Sequence, residues 1–161
     1  MKRRVIYTAI VGAYDAPPAI PPQAVDRECD YLCFSDEAMD LPQPWQLRKI
    51  SPLSEGSAAT NRWVKFCVHQ LLPEHEEALY MDGNLDLLRS PISAFEKLRD
   101  DQGCVFISHP QRRNVQDEII ACMLAGKVSL MESMNLVAAQ SRNGFKDRLP
   151  LTANRMFARR L

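Results

Sequence analysis

The sequence lacks the features that mark membrane proteins, secreted proteins and nucleic-acid-binding proteins. No apolar run approaches the length of a membrane span, and the start of the chain leads into a short strand-like run and not into a signal sequence. Twenty basic residues balance twenty acidic ones, so charge gives no reason to propose nucleic acid as a partner. These absences predict a cytoplasmic protein with no transmembrane segment and no nucleic-acid partner.

Paired cysteines and glycine-rich loops are also missing. The five cysteines, at positions 29, 33, 67, 104 and 122, form no CxxC pair, so we expect five reduced thiols and no structural zinc. The loop that follows the first strand-like run contains a single glycine, Gly12, so the fingerprint of Rossmann dinucleotide enzymes is absent. The remaining composition, 46% hydrophobic and 25% charged over 161 residues, is typical of a globular protein. We predict a single domain over residues 1–161.

Short apolar runs alternate along the chain with patterns of helical periodicity. The runs predict strands over residues 5–11, 30–34, 45–50, 78–81, 104–108 and 151–161. The helical patterns cover residues 57–72, 90–100, 116–124 and 128–140. Strands interleaved with helices favour a three-layer α/β sandwich.

The first predicted helix carries an apolar face and a basic face. Its expected buried residues are Trp63, Phe66 and Cys67. A basic row at spacings of three and four falls on another face and consists of Arg62, Lys65 and His69. Such a row is either positioned to face a pyrophosphate or is an ordinary solvated face, and the second interpretation is the more common one.

Polar residues follow four of the predicted strands at the point where each strand ends. They are Gly12, Asp36, Asp82 and His109. Open α/β sheets bind their ligands at the carboxyl ends of the strands, so this pattern predicts a site at that edge. The triplet at 82–84, Asp-Gly-Asn, supplies oxygen ligands that suit Mg²⁺ or Mn²⁺, although the same three residues also form ordinary turns.

Five ordered blocks of the sequence carry a resemblance to a known family. They read YTAIVGAYD at 7–15, DYLCFSD at 30–36, NRWVK at 61–65, YMDGN at 80–84 and SHPQR at 108–112. Together they resemble a glycosyltransferase-like family, with plant and bacterial members, that was once catalogued only as a domain of unknown function. That family is related to the GT-A nucleotide-sugar transferases.

The resemblance implies a fold and a set of site residues. The fold is a GT-A-like α/β/α sandwich with a mostly parallel central sheet, here short at its C-terminal end. Mn²⁺ or Mg²⁺ would be held against the donor diphosphate by Asp82, Asn84 and His109. The implied nucleotide-binding residues are Thr8, Ala9, Gly12, Tyr14, Asp36, Arg62 and Lys65. The residues implied near the sugar or its phosphates are Asp86, Arg112 and Glu118. No side chain stands out as a general base.

The resemblance also implies a function with one alternative. We expect a metal-dependent glycosyltransferase that takes a nucleoside-diphosphate sugar, with a UDP-sugar favoured, and an unknown glycan or small acceptor. Related proteins continue past the position of Leu161, so the alternative is a truncated or non-catalytic nucleotide-sugar-binding module that acts in an assembly, and a homo-oligomer remains open. A dehalogenase-type phosphatase is rejected, because its nucleophile would fall at position 80, which is Tyr80.

Overall fold

The computed structural model of the chain describes residues 3–98, 103–108, 111–143 and 152–161. Within these ranges every predicted strand and helix is present. The strands are β1 Arg4–Ala9, β2 Cys29–Ser35, β3 Gln46–Lys49, β4 Glu77–Met81, β5 Cys104–Ser108 and β6 Thr152–Arg160. The helices are α1 Ser57–Cys67, α2 Ile92–Lys97, α3 Val115–Leu124 and α4 Leu130–Arg142. All five cysteines are free thiols, as predicted.

The strands form one mixed sheet in the order β3-β2-β1-β4-β6-β5. β1 pairs in parallel with β2 and with β4, and β2 pairs in parallel with β3. β6 runs antiparallel to β4. The prediction of an α/β fold with a mostly parallel sheet is therefore confirmed. The chain proceeds outward from β1 to β3 and then returns to the other side of β1, so the strand order reverses between β1 and β4.

The central strand β1 is buried on both faces of the sheet, which explains its mostly apolar sequence, RVIYTA. Alternate residues contribute to two separate cores. One core joins Val5 and Tyr7 to Val64 and Val68, the latter just beyond the end of α1. The other joins Ile6 and Ile10 of the β1 segment to the α2 residue Phe95 and to the proline-rich segment through Ile20 and Ala24.

Helix α1 packs against the sheet through a different stripe from the one predicted. Its buried residues are Thr60, Val64 and Lys65. Of the predicted stripe, Trp63 is partly buried and packs against the same core, whereas Phe66 is 43% exposed. Thr60, Val64 and Val68 are each four residues apart, so this segment contacts the sheet along one row of residues at i, i+4 and i+8. Of the two interpretations of the basic row, the solvated face does not hold for Lys65, since Lys65 points toward the sheet and is 8% exposed.

A buried ion pair lies at the amino ends of β1 and β4. Arg4 and Glu77 are the first residues of these strands and are direct register partners. Arg4 Nε donates to Glu77 Oε2 at 2.9 Å, with side-chain exposures of 8% and 0%. The guanidinium carbon of Arg4 also lies 5.3 Å from the centroid of the Phe95 ring. This pair fixes the relative position of the two strands at the sheet edge opposite to the polar strand ends.

A second charged group, Asp30 with Arg3 and His75, gives a testable pH dependence. Burial raises the pKa of Asp30, but hydrogen bonds and charge attraction from His75 (2.8 Å) and Arg3 (3.3 Å) outweigh it and hold this pKa below its ordinary value. A lowered carboxyl pKa adds stability that is present above the unfolded pKa, about 3.9, and is lost as the pH falls through the folded pKa.

We expect Asp30→Asn to be less stable than the wild type near neutral pH and to approach it in acid. Urea denaturation of both proteins at about pH 6 and about pH 3 measures the difference in the free energy of unfolding. A difference that stays constant between these two conditions would contradict the assignment.

The chain divides into two compact units, Met1–Phe106 with Asn154–Leu161 and the second unit Ile107–Ala153. The described part of the second unit contains α3 and α4. Asn114 caps α3 by accepting a hydrogen bond from the Asp117 backbone at 2.8 Å. Ser129 and Glu132 form a capping box at the start of α4. No helix within the described ranges has the length and apolar character needed to span a membrane.

Candidate functional site

The loop after β1 and the end of β2 are tied together at the carboxyl edge of the sheet. The backbone N–H of Gly12 donates to Asp36 Oδ1 at 2.9 Å. Asp36 is the first residue after β2, so the predicted convergence of these two strand ends is present in the structure. The carboxylate of Asp36 holds the β1 loop in place.

Gly12 has a backbone conformation that depends on the absence of a side chain. Its φ is +89°, and the next residue, Ala13, also has a positive φ of 49°. A Cβ added at Gly12 would lie 2.9 Å from Oγ of Ser57, the first residue of α1. The β1 loop therefore lies directly against the amino end of α1, where backbone N–H groups lack helical partners.

Gly12→Ala should destabilise the protein for two reasons, left-handed backbone strain and the contact with Ser57. Strain of this kind costs about 1–3 kcal/mol of the free energy of unfolding. Gly56 is a matched control, because its φ is +94° and a Cβ there would meet nothing within 4 Å. Gly12→Ala should lower the urea midpoint more than Gly56→Ala. Equal losses would show that the β1 loop does not pack on α1.

The strand order reverses between β1 and β4, and a lysine–aspartate pair lies there. Asp82 follows β4 directly, and its Oδ1 accepts hydrogen bonds from Lys65 Nζ at 2.9 Å and from the Tyr80 hydroxyl at 2.6 Å. The ammonium group of Lys65 also lies 4.2 Å from the centroid of the Tyr80 ring. Oδ1 of Asp82 thus connects Lys65 of α1 with Tyr80 of β4.

Burial sets the chemistry of this pair. The side chain of Lys65 is 10% exposed and that of Asp82 is 29% exposed. Burial, followed by the hydrogen bond and the charge of Asp82, raises the pKa of Tyr80 well above its ordinary value, so its hydroxyl stays protonated and acts as a donor. The Tyr7 hydroxyl donates to the backbone oxygen of Lys65 at 2.6 Å and fixes this turn of α1 to the sheet.

Tyr14 and Asn61 lie beside the lysine–aspartate pair. Tyr14 is 63% exposed, and its hydroxyl accepts a hydrogen bond from Asn61 Nδ2 at 3.4 Å. Burial of the hydroxyl, with the charges of Asp15 and Asp82, raises the pKa of Tyr14. Oδ1 of Asn61 is buried and has no hydrogen-bond partner among the described residues. The position between β1 and β4 where the strand order reverses is the switch point of the sheet. We call the five residues beside it, Tyr14, Asn61, Lys65, Tyr80 and Asp82, the switch-point cluster.

The triplet at 82–84 forms a turn at the end of β4. The backbone N–H of Leu85 donates to the Asp82 carbonyl at 3.1 Å, and the strand ends at Met81. Asn84 and Asp86 are therefore exposed loop residues and do not share a strand face. A Cβ at Gly83 would lie 3.0 Å from the Ile10 side chain, so this glycine allows the turn to approach β1 closely.

The other predicted site residues lie in different places. Thr8 and Ala9 are buried in the sheet, at 0% and 1% exposure, and Arg62 is exposed on α1. Arg112 and Glu118 belong to the second unit and form an ion pair with each other at 3.0 Å. His109 lies outside the described residues.

The surroundings of Asp82 fit an ammonium group better than a divalent cation. Its Oδ1 already accepts two hydrogen bonds, and one donor is a cation that repels a second positive charge at the same carboxylate. Across the ranges that the structure describes, no group of three His, Cys, Asp or Glu side chains is placed to hold a metal ion. The Mn²⁺ or Mg²⁺ site that the resemblance implies at Asp82, Asn84 and His109 remains a prediction.

Two members of the switch-point cluster were not among the predicted site residues. Tyr80 is two residues before Asp82, a spacing that places both side chains on one face of an extended segment. Asn61 is four residues before Lys65, a spacing that places both on one side of a helix. These two spacings are the sequence signal by which Tyr80 and Asn61 are recognisable.

No family model, curated protein or solved structure matches this chain. The function is therefore inferred from the geometry of the switch-point cluster and from the ordered sequence blocks.

Proposed function

We propose that the sheet-containing unit binds a nucleoside-diphosphate sugar at the carboxyl edge of the sheet. One observation carries the proposal: the switch-point cluster lies where the strand order reverses between β1 and β4. In open α/β sheets, ligands bind in the crevice at this position, outside the carboxyl ends of the strands. The cluster also contains the types of group that such a ligand needs.

Each part of the ligand has a complementary group at this edge. The exposed ring of Tyr14 offers a surface on which a base stacks. The ammonium of Lys65 attracts a diphosphate as a point charge. Asn61 offers a buried carbonyl oxygen that accepts a hydrogen bond from a hydroxyl of the ligand. The β1 loop, held by Asp36, supports Tyr14 in this position.

The proposed activity is transfer of the sugar from the nucleotide to an acceptor hydroxyl. In that reaction the acceptor oxygen forms a bond to the anomeric carbon as the bond between that carbon and the diphosphate oxygen breaks. The diphosphate leaves with the bonding electrons, and the acceptor hydroxyl releases its proton to solvent. A fixed positive charge stabilises the negative charge that grows on the leaving diphosphate. The five ordered sequence blocks and the mostly parallel sheet support a GT-A-like transferase. The dependence on Mn²⁺ or Mg²⁺ that the resemblance implies is a separate question, and titration with and without Mn²⁺ tests it.

The alternative is a nucleotide-sugar-binding module that acts in an assembly and does not catalyse transfer. It is favoured by the apolar surface of α4, where Leu130 is 65%, Met131 67% and Met134 60% exposed. Exposed apolar side chains of this kind are common at protein interfaces. Release of nucleoside diphosphate from the donor sugar by the purified protein distinguishes the enzyme from the module.

The proposal is tested by calorimetric titration of UDP and then GDP into the protein, each with and without Mn²⁺. We expect saturable binding that is tighter for UDP than for GDP, because the resemblance of the ordered sequence blocks favours a UDP-sugar as the donor. Tyr14→Ala should weaken this binding by about 1–3 kcal/mol if the base stacks on the ring. Absence of binding of either nucleotide in every condition would overturn the proposed function.

A further inference from the structure

The ion pair of Lys65 with Asp82 bears on the cofactor requirement of the proposed site. Lys65 Nζ lies 2.9 Å from Asp82 Oδ1, and nine-tenths of the lysine side chain is buried. We infer that Lys65 supplies here the positive charge that a divalent cation would otherwise bring, so that the protein binds a nucleoside diphosphate without a metal ion. This inference rests on the proposed function, since it concerns the same ligand and the same site.

The first support is that contacts with β1 and β4 hold Lys65 in place. Its backbone carbonyl accepts the hydrogen bond from Tyr7, a fully buried residue of the central strand. Its ammonium group lies over the face of the Tyr80 ring, 4.2 Å from the centroid. A cation over an aromatic face is attracted by the ring, and this cation–π interaction stabilises its position. Helix α1 and strands β1 and β4 therefore fix the charge at the switch point.

The second support is the set of partners around Asp82. Oδ1 of this carboxylate accepts both the Lys65 ammonium and the Tyr80 hydroxyl. A carboxylate that receives two donors at one oxygen is well suited to orient the lysine. Asp82 and Tyr80 are thus positioning residues for Lys65. This role differs from that of a metal ligand, which the sequence predicted for Asp82.

The third support is the arrangement of the triplet at 82–84. Asn84 is an exposed residue of the turn that follows β4, and the described ranges hold no group of three His, Cys, Asp or Glu side chains placed to bind a metal ion. A hard divalent cation prefers several oxygen ligands around it. Oδ2 of Asp15 lies 3.6 Å from the position of a Cβ at Gly83, so a second carboxylate stands beside this turn. The carboxylate of Asp82, however, is already paired with an ammonium group, which repels a divalent cation.

The experiment is a titration of UDP and of GDP into the protein in EDTA and, separately, in Mn²⁺. For the wild type we expect binding in EDTA, with a dissociation constant that changes less than about threefold in Mn²⁺. Lys65→Met should weaken binding in EDTA by about 10- to 100-fold, the range for a lost charged hydrogen bond. Lys97→Met, an exposed lysine of α2, should bind like the wild type. Circular dichroism and thermal unfolding check that each variant is folded.

Asp82→Asn separates the two roles of the carboxylate. If Asp82 positions Lys65, this variant should bind several-fold more weakly than the wild type in EDTA and equally weakly in Mn²⁺. Binding of the wild type that appears only in Mn²⁺, and that Asp82→Asn abolishes, would overturn the inference and leave the proposed function intact. No binding in any condition would overturn the proposed function itself. If Lys65→Met fails to fold, Lys65→Arg and the comparison of EDTA with Mn²⁺ in the wild type still decide between these outcomes.

Discussion

Glu77→Gln should lower the free energy of unfolding by about 3–5 kcal/mol, because it removes the charged partner of a buried arginine. Glu77 is 0% exposed, and the Arg4 side chain is 8% exposed. The hydrogen bond from Arg4 to Glu77, opposed by burial, raises the pKa of Arg4. Without Glu77 the guanidinium still keeps its charge, because arginine stays protonated in proteins, so the variant leaves a buried charge without its partner. The variant keeps the shape of the side chain and removes only its charge. Urea denaturation measures the shift of the midpoint at constant slope.

Glu76→Gln is the matched control, because Glu76 is the neighbouring residue and is exposed. Its free energy of unfolding should change by less than about 0.5 kcal/mol. A double variant, Arg4→Met with Glu77→Leu, replaces the pair by apolar side chains and should recover much of the stability that the single variant loses. If Glu77→Gln costs no more than Glu76→Gln, the Arg4–Glu77 pair does not stabilise the junction of β1 and β4.

The strands β1 and β4 were predictable because burial on both faces restricts the residues that a strand can contain. All residues of these two strands are buried, and a mostly apolar run is the direct consequence. The order of the strands leaves no comparable pattern in the sequence. The antiparallel pairing of β4 with β6 joins Glu77 to Arg160, far apart in the chain, and depends on packing over the whole sheet.

The buried face of α1 shows where local periodicity fails. A pattern of large apolar residues favours Trp63 and Phe66 for the core, yet the structure buries Thr60, Val64 and Lys65. Thr60 is accommodated because its hydroxyl donates to the Gly56 carbonyl at 2.9 Å and accepts from the Leu53 backbone at 2.8 Å. A polar residue that satisfies its own hydrogen bonds can be buried at little cost. Those partners are visible only after the loop is folded.

The candidate site was predictable only in part. The rule that strand ends converge correctly associates Gly12 with Asp36. The burial of Lys65 could not be foreseen, because it depends on a carboxylate 17 residues later in the chain. Thr8 was predicted to line the nucleotide pocket and is fully buried in the structure. Alternation along β1 places it on the same face as Ile6 and Ile10.

Lys65→Met should reduce the turnover of a nucleoside-diphosphate sugar by roughly 10²- to 10³-fold, the usual effect of removing one group that stabilises developing negative charge. The reason is that the Lys65 ammonium is fixed by Asp82 and Tyr80 and needs no rearrangement when the diphosphate leaves. Methionine fills a similar volume without the charge, so the packing of α1 on the sheet should change little. The measurement is the rate at which nucleoside diphosphate is released from the donor sugar at saturating donor.

The control is again Lys97→Met, whose lysine is exposed on α2, and its turnover should equal that of the wild type. Lys65→Arg keeps the charge but replaces a point charge by a planar fork, so it should retain more turnover than Lys65→Met and less than the wild type. A folded Lys65→Met protein that turns over the donor at the wild-type rate would show that Lys65 does not stabilise the leaving diphosphate. A wild-type protein that binds the donor nucleotide and releases no product would instead favour the non-catalytic binding module, with the ion pair of Lys65 and Asp82 serving recognition alone.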